Sequence, residues 1–197
     1  MLILASRSPR RQELLRAVGL AFRVVLPSTE DSVVAQTGRC ADFVRQAALA
    51  KAREVAAHER GLVLAADTIV VCEGVVMGKP ASAAEAKRML RKLSGRRHRV
   101  YTGVALVQGD RMLVDYERTE VAFRVLSKQQ IDWYVGTGEP MDKAGSYAIQ
   151  GKGAALVRAI RGCYTNVIGL PLPKVLEMLA EFARLEKSAG RSRGSGR

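Results

Sequence analysis

The chain has 197 residues, 48% of them hydrophobic, and 32 lysines and arginines against 19 acids, a formal net charge of +13. This length and apolar content suit one domain with a sizeable core, and they exclude a fibre, a coiled coil or a chain disordered over most of its length. No apolar run approaches the roughly 20 residues of a membrane span. The opening MLILA precedes its basic residues instead of following them, so a cytoplasmic protein without a secretion signal is expected.

Residues 2–5 form a short apolar strand. Ser8-Pro9 opens a helix to about Val18, with Pro9 suited to the first turn and Gly19 as its stop. Phe22–Leu26 reads as a second strand, residues 27–39 as a polar loop, and residues 40–60 as a long helix closed by Gly61. Leu62–Ala66 is wholly apolar, as in a sheet covered on both faces, and delivers Asp67 and Thr68 to its end. Ile69–Cys72 and Val75–Met77 form a hairpin about Glu73-Gly74. Ser82 and Glu85 fit a capping box for a helix to Leu93, whose apolar face carries Ala86, Met89, Leu90 and Leu93. Residues 99–108 and 111–126 form a long hairpin turning at Gly109-Asp110. Ser127 with Gln130 caps a short helix to Gly136. Residues 137–153 are glycine-rich and irregular, Ala155–Ile160 is a strand, and a last helix runs from near Pro171 to about Glu186. Helices alternating with strands and hairpins predict a mixed α/β sheet.

The positive charge is unevenly spread. Lys87, Arg88, Arg91, Lys92, Arg96, Arg97 and Arg99 lie in one stretch without an acid, and the end of the chain adds Lys187, Arg191, Arg193 and Arg197. These supply eleven of the thirteen charges. A solvated helix face explains the first group better than a nucleic-acid patch, because interleaved aromatics are lacking. The Gly/Ser/Arg-rich residues 187–197 have no apolar side chain larger than alanine, so they read as a disordered basic tail behind a domain of residues 1–186. Cys40, Cys72 and Cys163 are odd in number and unsuited in spacing to a disulfide framework or zinc site, so reduced thiols are expected.

Four segments can carry chemistry. ASRSPRR, residues 5–11, joins a strand end to a helix start, where unpaired N–H groups and arginine forks make a polyphosphate cradle; an ordinary helix start with solvated arginines fits equally. Asp67 follows an apolar strand, where an ionised carboxylate needs a partner or a cation. With Glu30 and Asp31 from the preceding loop it could hold Mg²⁺, although local N–H groups would also satisfy it. GVVMGKP, residues 74–80, has the wrong spacing for a phosphate-binding P-loop and has Pro80 in place of the metal-binding hydroxyl, yet Lys79 can serve as a point charge. GEPMDKAGSYAIQGKG, residues 138–153, is long and glycine-rich, as loops that let backbone approach a ligand are.

Taken in order, ASRSPRRQELL, AADTIV with GKP, LSGRRHRVYTG, and EPMDKAGSYAIQGKGAALV through GLPL resemble the Maf family of nucleoside triphosphate pyrophosphatases, also called septum-formation inhibitors. The resemblance runs from residue 4 to about 172. It implies an elongated, twisted mixed sheet flanked by helices, with two lobes about a central cleft, as in inosine triphosphatases. The implied reaction yields a monophosphate and pyrophosphate with a divalent cation, Mg²⁺ or Mn²⁺. By resemblance Asp67 is the catalytic carboxylate, as proton acceptor or metal ligand, and Asp31 falls near the metal. Ser8, Arg10, Arg11, Lys51 and Lys79 match phosphate-holding positions. Arg10, Thr68 and Gln150 match the positions tied to the dTTP and UTP branch, and an amide at 150 suits a uracil or thymine edge. House-cleaning of modified nucleotides is the implied role. The 7-methyl-GTP branch, a division regulator and a nucleic-acid-binding protein are the alternatives. A homodimer is compatible with the resemblance, while a membrane or nucleic-acid partner is not expected.

Overall fold

The computed structural model describes residues 1–28 and 39–194, with side chains to Leu185. Seven strands form one sheet: β1 (Leu2–Ala5), β2 (Phe22–Val24), β3 (Leu62–Cys72), β4 (Val75–Met77), β5 (Arg97–Gln108), β6 (Arg111–Phe123) and β7 (Val157–Arg161). The order is β2-β1-β3-β5-β6-β7, with β4 on β3. β1 is parallel to both β2 and β3, and every other pairing is antiparallel, which is the mixed α/β sheet expected from the alternation of elements.

Helices α1 (Pro9–Ala17), α2 (Cys40–Ala56), α3 (Ala83–Leu93), α4 (Lys128–Gly136), α5 (Tyr164–Ile168) and α6 (Leu172–Gly194) flank the sheet. At one end, α2 covers one face through Ala48, Ala52 and Val55. On the other face, Leu15 of α1 and Val175, Met178 and Phe182 of α6 join Leu4, Leu64, Val104 and Leu106. The other end has its own core, where Ala86, Leu90 and Leu93 of α3 and Ile131, Tyr134 and Val135 of α4 meet Val100, Val121 and Phe123. Burying such stripes is the main favourable term for helices of this length.

The largest departure from the sequence reading is β3. Asp67 and Thr68 do not end a strand; β5 pairs with β3 without interruption from Val63 to Val71, so both sit within the ladder. What ends here is the neighbour on the other edge. β1 pairs only with Leu62–Ala65, and β4 takes up the edge at Val70–Cys72, leaving Ala66–Ile69 facing the gap between them. Gly103, the partner of Asp67 on β5, lets α2 lie directly on the sheet: a Cβ there would stand 2.0 Å from the Val44 carbonyl oxygen.

Smaller differences follow local hydrogen bonding. The capping box at Ser127 and Gln130 is complete, but that at Ser82 is half made: its hydroxyl accepts from the Glu85 amide, while the Glu85 carboxylate accepts from Ala81 instead of Ser82. α5 was not foreseen, being only five residues long, too short to show a helical period. β7 starts at Val157 because Gly151–Leu156 winds into 3₁₀ turns. α6 continues to Gly194, past the boundary expected after Glu186. Of the basic stretch, Lys87, Arg96 and Arg97 pair with Asp132, Glu73 and Glu120 on the surface. No helix among the described residues is long and apolar enough to cross a membrane.

Candidate active site

The gap in the sheet opens into a cleft of about 620 Å³. One wall is the turn Ser6–Ser8 and the start of α1, which follow β1 as soon as its pairing stops. Pro9 occupies the first helical turn and Ser8 the N-cap, but the Ser8 side chain makes no capping bond. Met77 at the end of β4, with Gly78 and Lys79 beyond it, forms a second wall, and the loop from Asp142 to Gln150 forms a third. These two are tied together: the Gly145 amide donates to the Gly78 carbonyl at 3.0 Å. Gly145 has φ +71° and packs so closely on Val70 that a Cβ would lie 2.9 Å from its Cγ1, so that turn needs glycine.

Alternation along β3 sends Asp67 and Thr68 to opposite faces of the sheet. On the α2 face, Lys51 Nζ donates to Asp67 Oδ1 at 2.6 Å, with both side chains 3% exposed. Lys51 lines the cleft, and Asp67 adjoins it through this ion pair. On the other face, Thr68 Oγ1 lies 2.9 Å from Thr102 Oγ1 and accepts from Arg11 Nη2 at 3.1 Å. Arg11, only 8% exposed, also donates Nε to the Gly169 carbonyl at 2.8 Å and Nη1 to Ser6 Oγ at 3.2 Å. One planar fork therefore ties α1, β3 and the end of α5 together. Thr102 continues the network to the Asn166 carbonyl, and the Asn166 amide donates to Val100 and Thr119.

Ser8, Arg10, Arg11, Lys51, Thr68, Lys79 and Gln150 all line the one cleft although they come from both ends of the sheet. Arg10 reaches across its mouth to Asp142, Nη1 to Oδ2 at 3.4 Å. Glu30 and Asp31 lie outside the described residues. Sequence reasoning did not single out Ser6, Arg7, Lys143 and Tyr147, which stood only inside its motifs and also line the cleft. Of these, Lys143 donates to Asp142 and to the Glu139 carbonyl, and Tyr147 packs on His98 with its hydroxyl 2.7 Å from Nε2. Lys143 stood in the glycine-rich motif; Tyr147 is apolar in most of its bulk and gave no separate signal. Among the described residues, Arg7, Arg10, Arg11, Lys51, Lys79 and Lys143 line the cleft against one lining acid, Asp142. Such a concave basic surface concentrates anions. No group of three or more His, Cys, Asp or Glu comes together among the described residues.

The sequence profile of the Maf family, described as Maf-like protein, matches residues 1–182. The chain belongs to the Maf family. Among its relatives, the dTTP/UTP pyrophosphatase of Symbiobacterium thermophilum is 57% identical over 92% of this chain and 93% of that protein. The dTTP/UTP pyrophosphatase of Bacillus cytotoxicus is 50% identical over 91% and 94%. A HAM1 protein from Coxiella burnetii shares the fold, with a TM-score of 0.51 and 20% identity over 91% of this chain and 98% of the other. Maf membership thus accounts for the motif order, and the sheet gap explains why motifs so far apart in sequence meet.

Proposed function

We propose that this Maf-family protein hydrolyses dTTP and UTP to the monophosphate and pyrophosphate. The observation that carries the reading is the convergence of Ser8, Arg10, Lys51, Lys79, Thr68 and Gln150 on one basic cleft in a chain 57% identical to a dTTP/UTP pyrophosphatase. Arg10, Lys51, Lys79 and Lys143 hold the triphosphate, and the unengaged Ser8 hydroxyl and α1 start add donors for its oxygens. Arg11, with three bonds to protein acceptors, holds Thr68 and the Ser6 turn in register for them. The Gln150 amide offers a donor and acceptors to the imide edge of uracil or thymine.

Asp67 accepts the proton of the water that attacks the α-phosphorus. The new P–O bond forms as the bond from that phosphorus to the bridging oxygen breaks, and pyrophosphate leaves. The adjacent ammonium of Lys51 lets Asp67 remain buried as a carboxylate, which would be costly alone. Positive groups already fixed around the cleft stabilise charge developing on the leaving group without reorganisation. A divalent cation, Mg²⁺ or Mn²⁺, fits this donor set, since such ions take one or two protein carboxylates and complete their shell with phosphates and water. Asp67, with Asp31, is the residue that would hold it, and the ion supplies charge neutralisation on the triphosphate.

The test is a panel of canonical and modified triphosphates with Mg²⁺ or Mn²⁺, in which pyrophosphate is measured against orthophosphate. UTP and dTTP should be the best canonical substrates with pyrophosphate as product. Orthophosphate as the sole product would overturn the reaction, and a preference for 7-methyl-GTP would move the protein to the sister branch.

A further inference from the structure

Gln150 is exposed at the cleft wall on a stretch without regular sheet or α-helix pairing, yet base discrimination needs its amide held in one orientation. Just outside the cleft lining stands Glu139, at the start of a 3₁₀ turn (Glu139–Asp142). Its Oε1 accepts from the Gly153 amide at 3.0 Å and from the Tyr134 hydroxyl at 2.9 Å, and its Oε2 accepts from the Lys152 amide at 3.1 Å. The Tyr134 hydroxyl in turn accepts from the Ala148 amide at 3.0 Å. Backbone amides on both sides of Gln150 are thus fastened to one carboxylate, directly or through one phenol.

The surrounding residues are shaped to this contact. Gly151 has φ +63°, and a Cβ on it would lie 2.9 Å from Glu139 Oε2. A Cβ on Gly153 would stand 2.2 Å from the Ala148 carbonyl oxygen and 2.6 Å from the Tyr134 hydroxyl. Tyr134 is fully buried in the core between α3 and α4, so the anchor is rigid. Partial burial pushes the Glu139 carboxyl up, but the Gly153 and Lys152 amides and the Tyr134 hydroxyl outweigh it and hold the group below its ordinary range.

We infer that Glu139 is a positioning residue that clamps residues 148–153 and thereby sets Gln150 against the pyrimidine. The inference rests on the reading of Gln150 as the residue that recognises the base. A glutamine is no substitute at this position. Three donors meet two carboxylate oxygens, and an amide would turn its own N–H₂ toward a backbone N–H.

The test is Glu139→Gln, measured for UTP and GTP hydrolysis and for amide hydrogen exchange. The KM for UTP should rise about tenfold with kcat nearly unchanged, as loss of hydrogen bonds to a charged group predicts. The KM for GTP should hardly move, and the Lys152 and Gly153 amides should exchange faster. Tyr134→Phe keeps the core filled and removes only the phenol bridge, so it should move the UTP KM in the same direction by about threefold; it decides the matter if Glu139→Gln fails to fold. An unchanged UTP KM, or an equal rise for GTP, overturns the clamp. Gln150→Ala is measured beside them: unchanged base preference there overturns the reading beneath the inference, whereas the exchange rates report on the clamp alone.

Discussion

Asp67 and Thr68 are neighbours in sequence and in one strand, yet they occupy two different kinds of polar site. Asp67 sits under α2 in an ion pair with Lys51 at 2.6 Å, both partners almost wholly buried. Thr68 sits on the opposite face among neutral oxygens and the Arg11 fork, in a net that runs on through Thr102 to Asn166. Strand alternation alone divides them. The first site places a buried ion pair beside the cleft. The second spreads charge over several protein acceptors and fixes geometry. On the proposed reaction, chemistry and positioning fall to the two faces of β3, and perturbing each face should give a different signature.

Asp67→Asn should give the largest effect. Loss of a proton-accepting carboxylate lowers turnover by about 10²–10⁴-fold; the circular dichroism of the fold is retained, since the amide oxygen can still accept from Lys51, while the melt shifts down because the buried ammonium loses the charge of this partner. Turnover above about a tenth of the parent's would remove Asp67 from that role. Lys51→Met tests the same face for stability. It fills similar space but breaks the buried pair with Asp67, for which about 3–5 kcal/mol is expected; denaturant unfolding that shows less than about 1 kcal/mol would mean the pair is not buried in solution.

These contrasts also show what could be read from the residues alone. Asp67 and Lys79 were legible because a charge beside an apolar run or a glycine needs a reason, whereas Lys51 entered only through the family resemblance. The mixed sheet, the hairpins and the Ser127 cap were legible from period and turn chemistry. That β3 runs through Asp67 was not, because the pairing that sustains it comes from Val63 to Val71 matching β5, about 28 to 44 residues away in sequence. Arg11 stood in the phosphate motif, but its bond to Gly169 was not legible, because it depends on α5, a five-residue helix that the sequence reading did not foresee. The roles of Glu139 and Tyr134 were hidden for the same reason: both work through backbone amides, which no side-chain pattern reports.

The Thr68 face continues to His98, whose burial lowers its pKa from 6.5 to about 4. Its Nε2 meets the Tyr147 hydroxyl, while Nδ1 is buried without a hydrogen-bond partner. The unfolded chain binds a proton there that the folded chain resists, so this contribution is complete above pH 6.5 and is lost as the pH falls toward 4. The shift corresponds to about 3 kcal/mol. His98→Gln keeps a polar atom for Tyr147 and does not titrate, so its stability should fall less steeply between pH 6.5 and 4.5. Parallel slopes for the two proteins would show that His98 is charged in the folded state.

Thr68→Val should be the mildest of these changes and the sharpest test of the division between faces. The replacement keeps the β-branched shape that suits a strand but removes one oxygen. Arg11 Nη2 loses an acceptor and Thr102 loses its partner hydroxyl. About 1–2 kcal/mol of stability should go with them. If this face serves positioning, the loss should appear as a raised KM for UTP and dTTP with kcat within about threefold of the parent, because uniform binding is weakened and the reacting groups are untouched. Asp67→Asn should show the reverse, a collapsed kcat with KM little changed. A Thr68→Val enzyme that loses turnover as severely as Asp67→Asn would mean that the two faces act on the reacting phosphorus together, and the contrast drawn from their geometry would fail.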